Sequence, residues 1–150
     1  MAQSLAQLWA HIIFSTKQRY PFLTPEVRPE LHAYAATVLR TAGSPAAIIN
    51  STADHIHILC VLSKNSSVAD LVQEVKTSTS KWIKTKGGIL KKFQWQAGYG
   101  VFSVSPSLVP AVKRYIADQE KHHRRMTFED EFRRVLVKCG VEYDERYVFD

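Results

Sequence analysis

The 150-residue sequence is poor in cysteine. Its two thiols, Cys60 and Cys139, lie far apart, form no Cys-x-x-Cys pair and sit among apolar neighbours. That excludes a disulfide-stapled fold, and both read as buried thiols in a reducing compartment. Long hydrophobic runs are missing too. No stretch approaches a membrane span, and no basic segment precedes an apolar core at the N-terminus. The expectation is a cytoplasmic protein without a membrane partner. Internal repeats and low-complexity tracts are absent. Acidic residues are in the minority: 14 Asp and Glu face 20 Lys and Arg, for a formal net charge of +6. That excess favours a polyanionic partner. With 45 % hydrophobic residues, the chain reads as one domain over 1–150. A chain of this size buries roughly two-thirds of its unfolded surface, so it needs no structural metal to fold.

What is present begins with Asp54-His55-Ile56-His57-Ile58-Leu59-Cys60-Val61. The run is β-branched and apolar, which predicts a buried strand. Residues two apart in a strand share a face. His55 and His57 therefore stand side by side, with Ile56 and Ile58 turned away. Two imidazoles on a stiff strand can share one metal ion, or can be two hydrogen-bonded histidines; the pair alone fits either.

The flanking chain gives the architecture. Leu8–Thr16 predicts a first strand, with His11 and Ile13 on one face and Ile12 and Phe14 on the other. His11 reads as a packed strand residue, with a role near an active centre as the lesser reading. Lys17 to Pro21 is a polar turn carrying Lys17 and Arg19. A helix is expected from Thr24 as N-cap and Pro25, closing at Gly43, although Pro29 sits awkwardly in it. Pro45–Ser51 is a second strand, joined by a tight turn to the His strand as an antiparallel hairpin. Ser66 or Ser67 caps the next helix, whose buried stripe is Val68, Leu71, Val72, Val75, Thr79, Trp82 and Ile83. Between Val75 and Lys92 stand Lys76, Lys81, Lys84, Lys86, Lys91 and Lys92, with no acid. Trp82, Phe93 and Trp95 interleave them. Lysines neutralise phosphates and exposed aromatics stack on unpaired bases, so this segment is a candidate nucleic-acid surface. Gly87-Gly88 breaks the helix, and a flexible loop is expected to Gly98. Tyr99–Ser105 predicts a fourth strand. Ser107 can cap a helix running from Leu108 to about His123, and Phe128–Lys138 predicts a last helix ended by Gly140. Glu142–Asp150 is an acidic tail that its Tyr143, Tyr147 and Phe149 should pack.

The element order is β-α-β-β-α-β followed by helices, an α+β, ferredoxin-like split βαβ sandwich with a four-stranded antiparallel sheet. Residues 1–105 form this core. Residues 106–123 hold the helix bearing Tyr115, and 124–150 hold the last helix and tail. One sheet face stays open for the extra helices or a second subunit. Tyr115 and Gln119 lie four apart, one above the other on one helix face, with His122 a turn further on. A phenol and an amide oxygen presented together can meet the imidazole pair. His122 and His123 read equally as phosphate contacts or surface histidines.

Several segments, taken in order, carry a resemblance. They are His11-Ile12-Ile13-Phe14-Ser15-Thr16-Lys17-Gln18-Arg19, then Asp54 to Leu59, then Trp95-Gln96-Ala97-Gly98-Tyr99, then Tyr115 to His123. The tail from Phe128-Glu129 to Tyr143-Asp144-Glu145-Arg146-Tyr147 adds to them. Together they resemble the single-tyrosine HUH transposases of the insertion-sequence 200/605 type and the related REP-associated tyrosine transposases. The resemblance implies a metal-dependent endonuclease and strand transferase that acts on single-stranded hairpin DNA through a 5′-phosphotyrosine. It implies Tyr115 as nucleophile and His55, His57 and Gln119 as metal ligands. It also implies a homodimer in which the tyrosine helix can serve the partner's His pair. Mixed N and O ligands suit Mg²⁺ or Mn²⁺, with zinc still open. The candidate DNA contacts are Lys17, Arg19, Lys76, Lys81, Lys84, Lys86, Lys91, Lys92, Trp95 and His122. Two other readings stand beside this one. The first is a domesticated hairpin DNA- or RNA-binding protein without cleavage. The second is a hydrolase of small phosphate esters using His55, His57 and His122.

Overall fold

The structure, a computed structural model, describes residues 2–150. The four strands are β1 (Trp9–Ser15), β2 (Ala46–Ser51), β3 (His55–Val61) and β4 (Gly100–Val104). They form one sheet in the order β2-β3-β1-β4, antiparallel at every pairing. The helices are α1 (Arg28–Thr41), α2 (Val68–Lys84), α3 (Val109–Ala117), α4 (Gln119–His123) and α5 (Phe128–Lys138). The element order is the expected βαββαβ followed by helices.

The strand alternation sorts the side chains onto two buried faces. Ile12, Phe14, Ile56, Ile58 and Cys60 join Leu31, Leu39, Leu71, Val75 and Ile83 of α1 and α2 in the main core. Each such large side chain contributes about 1.5–3 kcal/mol when fully buried. On the opposite face Ile13 and Phe102 meet Phe128, Phe132 and Leu136 of α5. The face expected to stay open for helices or a subunit is therefore covered by helices of the same chain. The imidazoles of β3 lie beneath that cover.

Several boundaries differ from the expectation. α1 begins at Arg28, not at Pro25, and Val27 caps it without a side-chain bond. Pro29 then falls in the first turn, where its missing N–H has no partner to lose. Ser67 is the cap of α2, its Oγ accepting from the Asp70 N–H at 3.0 Å. The segment after Gly87-Gly88 is an ordered 3₁₀ turn, Gly88–Lys92. Beyond it, Phe93 and Trp95 are buried and Thr16 bridges Trp95. Lys76 Nζ fastens this connection by donating to the carbonyls of Gln96, Ala97 and Gly98 at 2.7, 3.2 and 2.7 Å. The single helix expected from Leu108 to His123 is two helices broken at Asp118 (φ −94°, ψ 21°). Side chains take over the backbone bonds there. Asn50 Nδ2 donates to the carbonyl of Ile116 at 2.8 Å, and Gln119 Nε2 to that of Tyr115 at 3.3 Å. Of the tail aromatics, Phe149 packs on Phe128 and Phe132, while Tyr143 and Tyr147 are exposed. Cys139 is exposed, at the end of α5 where only one helix face is covered; Cys60 is buried as expected.

Candidate metal and tyrosine centre

β3 places His55 and His57 on the face beneath α3, α4 and α5, their ring centroids 5.2 Å apart. Both side chains are fully buried. α3 brings Tyr115 and α4 brings Gln119 from above, while α5 inserts Glu131 between them. Glu131 is the hub. Its Oε1 lies 3.0 Å from His57 Nε2, 3.4 Å from His55 Nε2 and 3.0 Å from His123 Nε2. The His123 contact lacks hydrogen-bond alignment. Its Oε2 accepts a short hydrogen bond from the Tyr115 hydroxyl. Gln119 Oε1 lies 3.3 Å from His55 Nε2. The phenol thus reaches the imidazole pair of its own chain through Glu131. The outer nitrogens are also engaged. His55 Nδ1 is 2.7 Å from Asp54 Oδ1 and 2.8 Å from Thr52 Oγ1. His57 Nδ1 is 2.8 Å from His11 Nε2.

The electrostatics follow from this packing. Burial pushes the Glu131 carboxyl up, but His123, His55 and His57 around it hold it far below the usual range. Burial alone would lower His55; bonds to Asp54 and Glu131 reverse that and raise it to about 9. Burial outweighs the Glu131 contact at His57 and lowers it to about 4. Burial and the neighbouring His57 lower His11 to about 3. Burial and the Glu131 charge push the Tyr115 phenol far up. These shifts favour a protonated His55 between the Asp54 and Glu131 carboxylates, neutral His11 and His57, and a protonated Tyr115 phenol. The His55 proton stands where a cation would neutralise Glu131.

These residues fit a divalent cation. The ligand atoms of His55, His57 and Glu131 all lie within 4.8 Å of one another. Adjacent ligands of an octahedral ion bound at about 2.1 Å are about 3 Å apart. The His57–Glu131, His55–Gln119 and His55–Glu131 separations of 3.0, 3.3 and 3.4 Å are of that size. The expected ligands His55, His57 and Gln119 are brought together, with Tyr115 beside them.

Glu131 was not among the expected residues. Its signal was in the sequence: an acid in the apolar stripe Phe128, Phe132, Val135, Leu136 of an amphipathic helix. His11, expected mainly to pack, touches the centre directly. His122 stacks on the Tyr115 ring (centroids 4.8 Å apart), and its Nε2 is buried without a partner.

The expected DNA contacts divide. Lys17, Arg19, Lys81 and Lys84 line a groove of ≈ 890 Å³ beside α2, with Gln18, Gln73 and Gln94 among them. Lys86 pairs with Glu30 and sits over the Trp82 ring. Lys91 and Lys92 are exposed on the 3₁₀ turn. Two expectations are corrected. Trp95 is 8 % exposed, donates Nε1–H to Thr79 Oγ1 and packs edge-on to Phe14 and Phe93, so it offers no open face to a base. Lys76 is half-buried and spends its ammonium on three carbonyls; burial lowers it to about 8. A second depression of ≈ 580 Å³, bordered by Arg19, Asp54, His123, Arg124 and Arg125, opens beside the His55 side of the centre.

Comparison with known proteins bears on this arrangement. The sequence model of the family described as transposase, IS200-like, matches residues 4–119. No protein of curated function matches the sequence. Among solved structures, a transposase from Deinococcus radiodurans R1, described as putative, aligns with TM-score 0.62 at 21 % identity. It covers 79 % of this chain and 98 % of its own. A REP-associated tyrosine transposase bound to a REP hairpin aligns with TM-score 0.58 at 15 % identity, covering 82 % of this chain and 74 % of its own. At these identities the two structures speak for the fold.

Proposed function

The chain belongs to the IS200-like transposase family, and on that premise we propose that it cuts and rejoins single-stranded hairpin DNA through a covalent phosphotyrosine. The observation that carries the proposal is the meeting of the Tyr115 hydroxyl with Glu131, the same carboxylate that faces His55 and His57. The REP hairpin held by the structural neighbour supports a hairpin substrate.

In this reading Tyr115 Oη attacks the scissile phosphorus. The bond to the 3′ oxygen breaks, leaving a 5′-phosphotyrosine and a 3′-hydroxyl. Ionising a phenol of ordinary pKa at pH 7 requires about 4 kcal/mol, and more at a phenol held up as Tyr115 is. Glu131 Oε2 accepts from the Tyr115 hydroxyl and orients Oη. Because this carboxyl is held far below the usual range, the Oη proton does not rest there and passes on to the departing 3′ oxygen. His122, stacked on the phenol, limits its rotation. A second strand's 3′-hydroxyl reverses the step, so rejoining needs no external energy source. His55, His57, Gln119 and Glu131 would hold Mg²⁺ or Mn²⁺. When bound, the cation neutralises phosphate charge in the transition state and lowers the demand on the phenol. Arg124 and Arg125 border the depression beside His55 and would draw the scissile phosphate in. Lys17, Lys81 and Lys84 would track the single strand along the groove, with Arg19 at its edge already held by Glu129 and the Phe149 carbonyl. A homodimer accords with β4, which ends the sheet; among the described residues no strand pairs its outer edge. In this reading Tyr115 serves the imidazole pair of its own chain, so each subunit is complete on its own.

The test is a cleavage assay on single-stranded hairpin DNA with Mn²⁺, scoring a protein–DNA adduct on a denaturing gel. Wild type forms the adduct; Tyr115→Phe binds the DNA and forms none. An adduct from Tyr115→Phe removes the nucleophile. Binding without any adduct from wild type favours the non-cleaving hairpin binder instead.

A further inference from the structure

β1 contributes a residue to the centre that the cutting reaction does not touch. His11 stands diagonally across the strand pair from His57: Ile13 is the register partner of His57 and Leu59 that of His11. Their rings are 5.0 Å apart and tilted by 32°, and His11 is 7 % exposed. The Nε2–Nδ1 separation of 2.8 Å is a hydrogen bond between two imidazoles.

A hydrogen bond between two ring nitrogens needs a hydrogen on one and a lone pair on the other. Which is which depends on the far side of His57. Its Nε2 faces the Glu131 carboxylate at 3.0 Å, and a carboxylate only accepts. In the metal-free protein the His57 hydrogen is therefore on Nε2. Nδ1 is then a lone pair, accepting from His11 Nε2–H. A cation at His57 Nε2 needs the lone pair there. The hydrogen must then sit on Nδ1 and donate to His11 Nε2, so the hydrogen that His11 carried on Nε2 must move to its own Nδ1. The pair holds the same number of protons in both arrangements; only their positions change. His55 differs, because its outer nitrogen faces Asp54 and Thr52, a carboxylate and a hydroxyl.

The geometry points to His11 as a positioning residue that selects the metal-binding tautomer of His57, donating to it in the free protein and accepting from it in the loaded one. This rests on the reading of His55, His57 and Glu131 as the metal site. An imidazole suits the post because it can exchange donor for acceptor without gaining charge. An aspartate there could only accept, and would hold His57 in one tautomer permanently. An apolar side chain would leave the Nδ1–H of the loaded state buried without a partner, a penalty paid only when the cation is bound.

The experiment measures Mn²⁺ binding by calorimetry without DNA, on wild type, His11→Gln, His11→Phe and, as a control, His57→Ala. Long-range ¹H–¹⁵N spectra of the wild-type imidazoles, recorded metal-free and with diamagnetic Mg²⁺, report the tautomers. Loss of an outer partner typically weakens metal binding about 10- to 100-fold. His11→Phe is expected to show that loss. His11→Gln, whose amide can either donate or accept, recovers most of it. The His57 hydrogen is expected on Nε2 without metal and on Nδ1 with it. Unchanged Mn²⁺ affinity in His11→Phe overturns the proposal, as does a His57 hydrogen already on Nδ1 in the metal-free protein. If His57→Ala also leaves Mn²⁺ affinity unchanged, the metal site itself falls; if only His57→Ala weakens binding, the role of His11 alone falls. Should His11→Phe fail to fold, the wild-type spectra and His11→Gln still decide.

Discussion

The Tyr115 hydroxyl donates to Glu131 Oε2, joining the last turn of α3 to the first turn of α5. Through its other oxygen the same carboxylate faces His55 and His57. One acid therefore couples the phenol to the imidazole pair.

Replacing that acid should uncouple them. Glu131→Gln leaves the His55 imidazolium with Asp54 as its sole carboxylate partner. Breaking a buried charge pair from one side typically costs about 3–5 kcal/mol. We expect a lower unfolding free energy in urea for the metal-free protein, and weaker Mn²⁺ binding by calorimetry. Wild-type values in both would show that Glu131 is a bystander.

The pH dependence of stability has a definite shape. The folded values of His11 and His57 are lowered to about 3 and about 4 from 6.5. As pH drops below 6.5 the unfolded chain takes up protons that the folded chain refuses, so stability falls. Glu131, also held low, adds to the loss in acid. His55 is raised to about 9. Its contribution is complete below 6.5 and is lost as pH rises through about 9. Metal-free protein should be most stable near pH 7, where the protons gained by unfolded His11 and His57 balance the one unfolded His55 has lost, and thermal melts across pH 4–10 will show it. A flat profile between pH 6.5 and pH 9 contradicts the His55 assignment.

The basic groove and the buried tryptophan should separate cleanly. Lys81→Ala and Lys84→Ala should each weaken single-stranded DNA binding and lower the salt slope by about 0.7. Their folding should be unchanged, because both lysines are exposed. Trp95→Phe should do the reverse. It loses the bond to Thr79 and costs about 1–3 kcal/mol of stability, while DNA affinity holds. A Trp95→Phe variant that folds normally but fails to bind DNA would restore the stacking role.

Gly100 decides how closely α5 approaches the sheet. A Cβ there would stand 2.6 Å from Phe132 Cε2 and 2.8 Å from Phe102 Cε2. Both rings are buried, so Gly100→Ala should force α5 outward and cost about 1–3 kcal/mol. Because Glu131 neighbours Phe132 on α5, Mn²⁺ affinity should fall with stability. A stability loss with unchanged Mn²⁺ binding would show that the centre tolerates movement of α5.

Local periodicity by itself determined much of this protein. Alternation in β1 and β3 put His11, His55 and His57 on one face, because a strand turns successive side chains to opposite sides whatever surrounds it. A four-residue spacing predicted Tyr115 and Gln119 on one helical face, but the break at Asp118 puts them on two helices, and Gln119 is tied back to Tyr115 by its side-chain bond to the Tyr115 carbonyl. Packing between distant segments decided the rest. The sequence marked Glu131 as an acid in an apolar stripe, but only the docking of α5 over β3 showed which groups it would meet. Lys76 and Trp95 read as a basic and aromatic surface, and the fold turned both inward because the connection before β4 needed an anchor and a core contact. The break at Asp118 has the same origin: Asn50 of β2 competes for carbonyls that an isolated helix would have kept for itself. Backbone geometry sets which residues share a face. Which faces then meet depends on burial and hydrogen bonding summed over the whole chain.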